Sequence, residues 1–179
     1  MDKYKNIIVM KVGPHNDMSL SEIITTKKDE ETLHGVHFWG YSGVFCHPRK
    51  VQEFCKNSIN KGIVPKLILI ETKSTYNSDI GFINNYSEDG VNYEKFNGPV
   101  QLQGAQFSFV TKRLKKLNNF SISNYNVVGG KNDGKSLDTH LRFRVNKSFA
   151  TIKHENLNDE GVEVLVAELV EPYAIWLKE

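Results

Sequence analysis

Apolar and polar positions alternate along this chain in more than one rhythm. Asn6 to Val12 and Lys66 to Glu71 are short, nearly continuous apolar runs rich in Ile, Val and Leu. Such runs suit strands covered on both faces, as in parallel sheets. Between them, helical spacing occurs twice. Ser19-Leu-Ser-Glu22 is a capping-box signature, with the Ser19 hydroxyl placed to bond the third helical amide and Glu22 to reach back. Leu20, Ile23 and Ile24 give that helix an apolar face, and it is expected to run to Leu33, with Gly35 available as its C-terminal cap. Val36 to Tyr41 reads as a second strand. Pro48 suits the first turn of the next helix, where Val51, Phe54, Cys55 and Ile59 share a face and Gly62 marks the stop. The first third is therefore β-α-β-α-β, and parallel pairing would bring successive strand-to-helix loops to one rim.

Further on the rhythm is less regular. Tyr76 to Gly98 is rich in Asn, Ser, Asp and Gly and reads as a long surface excursion with room for short elements. Pro99 to Gly104 looks extended. Phe107, Val110, Leu114 and Leu117 fall at helical spacing opposite Lys112, Arg113, Lys115 and Lys116, which predicts a helix over Ala105–Leu117. A strand over Phe120–Val128, a turn at Gly129–Gly134, and late strands at Val162–Val170 and Tyr173–Leu177 complete the reading. Leu137 to Ile152 has mixed character and leans towards helix. No internal repeat and no linker divides the chain. The fold class is α/β, with α+β as the alternative: a single domain over 1–179 built on a mixed sheet.

Composition changes this picture little. The 179 residues suffice for one domain with a real core, and 39% hydrophobic with 11% aromatic residues argues against disorder. A net charge of +2 gives no global basic field, so the chain is not read as a nucleic-acid binder. Cys46 and Cys55 are too few for a disulfide framework and fit a reducing, cytoplasmic setting. The start Met1-Asp-Lys-Tyr-Lys-Asn-Ile has no apolar leader, and no run approaches the length of a membrane span.

Candidate chemistry concentrates in His37-Phe-Trp-Gly-Tyr-Ser-Gly-Val-Phe-Cys-His-Pro48. Its mixture of polar groups (His37, Ser42, His47), aromatic faces and glycines suits a ligand site better than a plain buried strand. Trp39 and Tyr41 point to the same side of a strand and could sandwich a base. Gly40 and Gly43 support the site reading, because core strands rarely spend two glycines so close together. Two helix starts could capture phosphate with their free amides: one is preceded by His15, the other by His47 and followed by Arg49 and Lys50. Thr72, Lys73 and Ser74 would lie on the same rim. Arg142 and Arg144 reach one face if their segment is extended, and arginines clamp phosphate bidentately.

Metal and enzyme signatures are sparse. His34, His37, Cys46 and His47 lack the paired short spacing of a structural zinc site, and no metal or other cofactor is expected. Cys46 before a helix start, beside His47, has the setting of an activated thiol, but a small buried cysteine is the commoner fate. There is no Walker loop, no G-x-G-x-x-G and no G-x-S-x-G. If chemistry follows binding, His37, His47 and Cys46 are the candidates, with the two histidines as acid and base of a phosphoester or glycosidic hydrolase. Function without turnover, insensitive to EDTA, is the expected outcome.

Gly13-Pro-His15, Ser19-Leu-Ser-Glu-Ile-Ile24, His37-Phe-Trp-Gly-Tyr-Ser-Gly43 and Cys46-His-Pro48 together resemble a small family of uncharacterised bacterial and phage proteins. The resemblance covers the first third well and the rest loosely, and implies no established site residues. The resemblance carries no established activity; analogy with phage counter-defence proteins gives the expectation that the protein sequesters an immune signalling nucleotide in the host cytoplasm. The expected partner is a small nucleotide-like phosphorylated ligand, without a membrane, and with a homo-oligomer left open. A protein-interaction module inhibiting a host factor, with the aromatic strand in its core, is the third alternative.

Overall fold

The computed structural model describes residues 4–14, 18–73, 82–102, 104–142, 145–153 and 160–179. Three expected site residues, His15, Ser74 and Arg144, lie outside these. The fold is mixed α/β, and its contacts divide into two compact units between which the chain passes repeatedly.

The first unit comprises Met1–Val12, Cys55–Glu71 and Arg113–Glu168. β1 (Asn6–Val12) runs parallel to β3 (Lys66–Glu71), in register from Ile7↔Lys66 to Val12↔Glu71. Antiparallel strands flank the pair. β8 (Lys147–Ile152) lies on β1 and in turn carries β7 (Tyr125–Val127), while the first half of β9 (Val162–Lys178) lies on β3. Ile7, Ile8 and Val9 are all fully buried, so both faces of β1 are covered, as its continuous apolar run requires. One face packs Ile7, Val9 and Ile68 against Phe120, Tyr125 and Leu137. Each such aliphatic side chain contributes about 1.5–3 kcal/mol.

The helix expected within Leu137–Ile152 shrinks to one turn, α3 (Leu137–Leu141), followed by β8. Five residues do not make a stable helix alone; Leu137 and Leu141 pin this turn to the core. The helix expected at Ala105–Leu117 is instead a strand, β6 (Phe107–Phe120). Its helix-like spacing joins residues that pack in separate places along an extended strand: Phe107 lies against Tyr41, Val110 belongs to the cluster with Phe38 and Ile175, and Leu117 packs on the core of the first unit.

The second unit comprises Gly13–Phe54, Thr72–Lys112 and Leu169–Glu179. α1 (Leu20–His34) has the expected capping box and ends at Gly35 in the left-handed region. β2 (His37–Tyr41) pairs antiparallel with β6, from His37↔Thr111 to Tyr41↔Phe107. β4 (Phe82–Ser87) and β5 (Glu94–Gln101) form a hairpin within the expected surface excursion, and β4 also pairs with the end of β9. Phe38, Ile83, Val100, Val110 and Ile175 form the core here. The β-α-β-α-β order is as expected, but β2 does not extend the parallel pair; its partner is β6. α2 (Pro48–Asn60) contributes to both units and buries Val51, Cys55 and Ser58, while Ile59 is exposed.

Candidate functional site

The most unusual chemistry of the second unit is buried beneath α1. The half-buried Leu20, Ile23 and Ile24 begin a helical stripe that continues at Lys27, Glu30, Glu31 and His34. Lys27 and Glu30 are only 5% and 7% exposed. The Lys27 ammonium lies 3.4 Å from both Glu30 carboxylate oxygens and 5.5 Å from the centre of the Trp39 ring, within cation–π range. Glu30 Oε1 also accepts the Phe38 backbone N–H at 2.6 Å. That amide belongs to a strand whose other side pairs with β6, so the carboxylate closes a backbone donor that would otherwise be buried without a partner.

His37 is fully buried. Its Nδ1 sits 3.0 Å from Glu31 Oε2, and its carbonyl accepts from the Thr111 hydroxyl at 3.0 Å. Burial pushes the imidazole down to about 4, against the raising pull of the Glu31 carboxylate. A neutral ring donating from Nδ1 to Glu31 presents Nε2 as an acceptor. His37 Nε2, Trp39 Nε1 and His34 Nε2 are buried and have no hydrogen-bond partner among the described residues. Burial likewise pushes the Lys27 ammonium down and the Glu30 carboxyl up, each opposed by the other's charge.

The conspicuous stretch that follows is largely architecture. Trp39 and Tyr41 are 4% and 5% exposed. Tyr41 stacks on Phe109 at 4.3 Å and donates its hydroxyl to the Cys46 carbonyl at 2.6 Å, so protein groups already occupy the ring. Gly40 is explained by packing, since a Cβ there would meet that of Ala105 at 2.8 Å; Gly43 makes a turn at φ 92°. Ser42 donates to the Gly104 carbonyl and accepts from the Gln106 amide. Cys46 is buried and unbridged, with a positive φ of 58°.

The helix starts supply much of their own capping. At α2 the amides of Lys50 and Val51 bond the His47 carbonyl and that of Arg49 bonds His47 Nδ1, leaving Arg49 and Lys50 side chains exposed. The His47 ring packs edge-on against Phe107 and Trp176, whereas His37 keeps company with Glu31 and Trp39. At α1 the Glu22 carboxylate itself accepts from the Ser19 amide. Thr72 and Lys73 follow β3, and exposed Arg142 is paired with Asp138 at 2.5 Å. Among the described residues no three His, Cys, Asp or Glu side chains are grouped to hold a metal ion, and no helix is long and apolar enough to cross a membrane.

In the first unit a pocket of about 630 Å³ opens beside the end of α2. Lys5, Lys61 and Lys66 line it with Asn6, Val64 and Thr151, and among the described residues no carboxylate does. Its polar wall is fixed in advance: Asn6 donates to Ser58 Oγ at 2.9 Å and accepts from Thr151 Oγ1 at 2.9 Å. Lys66 is partly offset by Glu168 at 3.2 Å.

Neither this pocket nor the Lys27–Glu30 pair is conspicuous in the sequence. The lysines come from positions 5, 61 and 66, which only the β1–β3 pairing brings together. The pair had one available signal, opposite charges three apart continuing an apolar stripe. Compared with protein-family models, with curated proteins and with solved structures, the chain has no match in any of the three.

Proposed function

We propose that the protein binds a small phosphorylated, nucleotide-like ligand, with the lysine pocket of the first unit receiving the phosphate. The observation that carries this reading is the gathering of three lysines in the lining of one pocket in a chain whose net charge is only +2. Lysines supply charge and donors to phosphate oxygens, and the volume lies within the range of small-molecule sites, about 300–1,000 Å³. Ile63 and Val64 offer an apolar surface to the rest of the ligand. The helix starts contribute less to this reading, because much of their capacity is spent on their own caps. Sequestration of a signalling nucleotide is the biological use suggested by analogy with phage counter-defence proteins.

Calorimetric titration with a panel of mono-, di- and cyclic nucleotides, beside inorganic phosphate, tests the proposal. Uptake that weakens with salt, and that falls about tenfold in Lys5→Ala/Lys61→Ala, is expected. Binding unchanged in that variant, or no uptake of any member of the panel, would sink it.

A second reading, nucleotide hydrolysis, has one observation in its favour. The Glu31-oriented His37 with an unpartnered Nε2 is the arrangement a general base uses, although the ring is fully buried. Product formation lost in a still-folded His37→Ala variant would establish it.

A further inference from the structure

A second cleft, of about 240 Å³, lies within the second unit and has a different chemistry. Its floor is apolar, with Phe38, Val110 and Ile175 all buried. Around this floor four rings make a connected wall. Tyr86 packs on Phe96 at 4.7 Å, Phe96 meets Phe38 edge-on at 5.1 Å, and His34 meets Phe38 at 6.2 Å. The rim carries two exposed carboxylates, Glu88 and Glu171, against one ammonium, Lys95. Asn97 adds a neutral polar side chain to the lining.

We infer that this cleft binds a small organic ammonium cation with an apolar or aromatic body. Ring faces attract cations and exclude water, and aromatic walls are a recurrent way of holding organic ammonium groups. The two carboxylates give the rim an excess negative charge that favours a cation and repels a phosphate. Size sets the body. A cavity of about 150 Å³ takes one benzene ring, so 240 Å³ admits a fused two-ring molecule or a branched alkyl chain. This site is independent of the lysine pocket, whose charge selects the opposite kind of ligand.

Two probes with the same ring and opposite charge test the inference on the full chain: tryptamine, a cation at neutral pH, and indole-3-acetate, an anion. Titration followed by NMR shift changes is expected to show tryptamine binding about tenfold more tightly than indole-3-acetate. Phe96→Ala is expected to weaken tryptamine by about tenfold. Glu88→Gln/Glu171→Gln, which alters only exposed groups and leaves the fold intact, is expected to weaken it about two- to fivefold. Equal affinity for the two probes, tryptamine binding indifferent to the double variant, or no saturable tryptamine binding below about 10 mM would each overturn it.

Discussion

The two units bury their central strands in opposite ways. In the first, Ile7, Ile8 and Val9 of β1 and Leu67 and Ile68 of β3 are fully buried, and Ile7, Val9 and Ile68 pack within one apolar cluster. In the second, β2 carries His37, Trp39 and Tyr41 on one side, and the helix beside it brings a buried Lys27–Glu30 pair rather than leucines. A parallel strand inside a sheet has its backbone groups paired on both sides and needs only apolar cover. β2 has a backbone amide that β6 does not reach, and a carboxylate must close it, which in turn needs a buried cation. Charge in the second unit therefore follows from an open backbone donor.

The largest expected effects test that difference directly. Glu30→Ala leaves Lys27 and the Phe38 amide without their partner and is expected to cost about 3–5 kcal/mol in urea unfolding. Lys27→Met/Glu30→Leu restores volume without charge and should cost less than the single change. A single variant losing under about 1 kcal/mol would show that the pair does not hold β2. Trp39→Ala is expected to fall in the same range, about 3–5 kcal/mol. The ring, expected from the sequence to help sandwich a base, is 4% exposed and lies beneath the Lys27 ammonium.

Acid should reach the second unit through His37. Its folded value of about 4 lies below the ordinary 6.5, so between these pH values the unfolded chain takes up a proton that the folded chain refuses. Stability is then lost as pH falls from 6.5 towards 4, by roughly 3 kcal/mol in total. Glu30, whose carboxyl is pushed up, slopes the other way. The difference between wild type and His37→Gln isolates the histidine. Parallel pH profiles for the two proteins would remove it as the cause.

Smaller changes sharpen the comparison. Gly161→Ala in the first unit and Gly40→Ala in the second each force a Cβ into occupied space, 2.2 Å from the Asn119 carbonyl carbon and 2.8 Å from the Ala105 Cβ. Losses of about 1–3 kcal/mol are expected by thermal unfolding, larger at Gly161, where backbone must move; the reverse order would mean that β2 is the stiffer site. At the bottom of the scale, Lys116→Ala should change stability by less than about 0.5 kcal/mol, because Lys116 and Glu163 are both exposed.

How legible each part was depends on how local its cause is. Ser19, Glu22 and Gly35 act within one turn of their helix, and α1 was read correctly at both ends. The apolar runs of β1 and β3 announced strands covered on both faces. β6 reads as a helix because Phe107, Val110 and Leu117 fall at helical spacing, while in the strand they serve separate packing environments. Trp39, Gly40, Tyr41 and Gly43 read as a ligand site in the sequence, and close packing and a turn use the same residue types.

By itself, then, the sequence determined the caps of α1, the α/β class and the strands β1 and β3, since these follow from contacts a few residues apart. Only the tertiary structure decided that β2 joins β6, that Lys27 and Glu30 are buried, and that Lys5, Lys61 and Lys66 share a pocket. Strand pairing spans tens of residues, and a charged side chain on a helix stripe looks solvated until a strand with an unpaired amide is laid beside it.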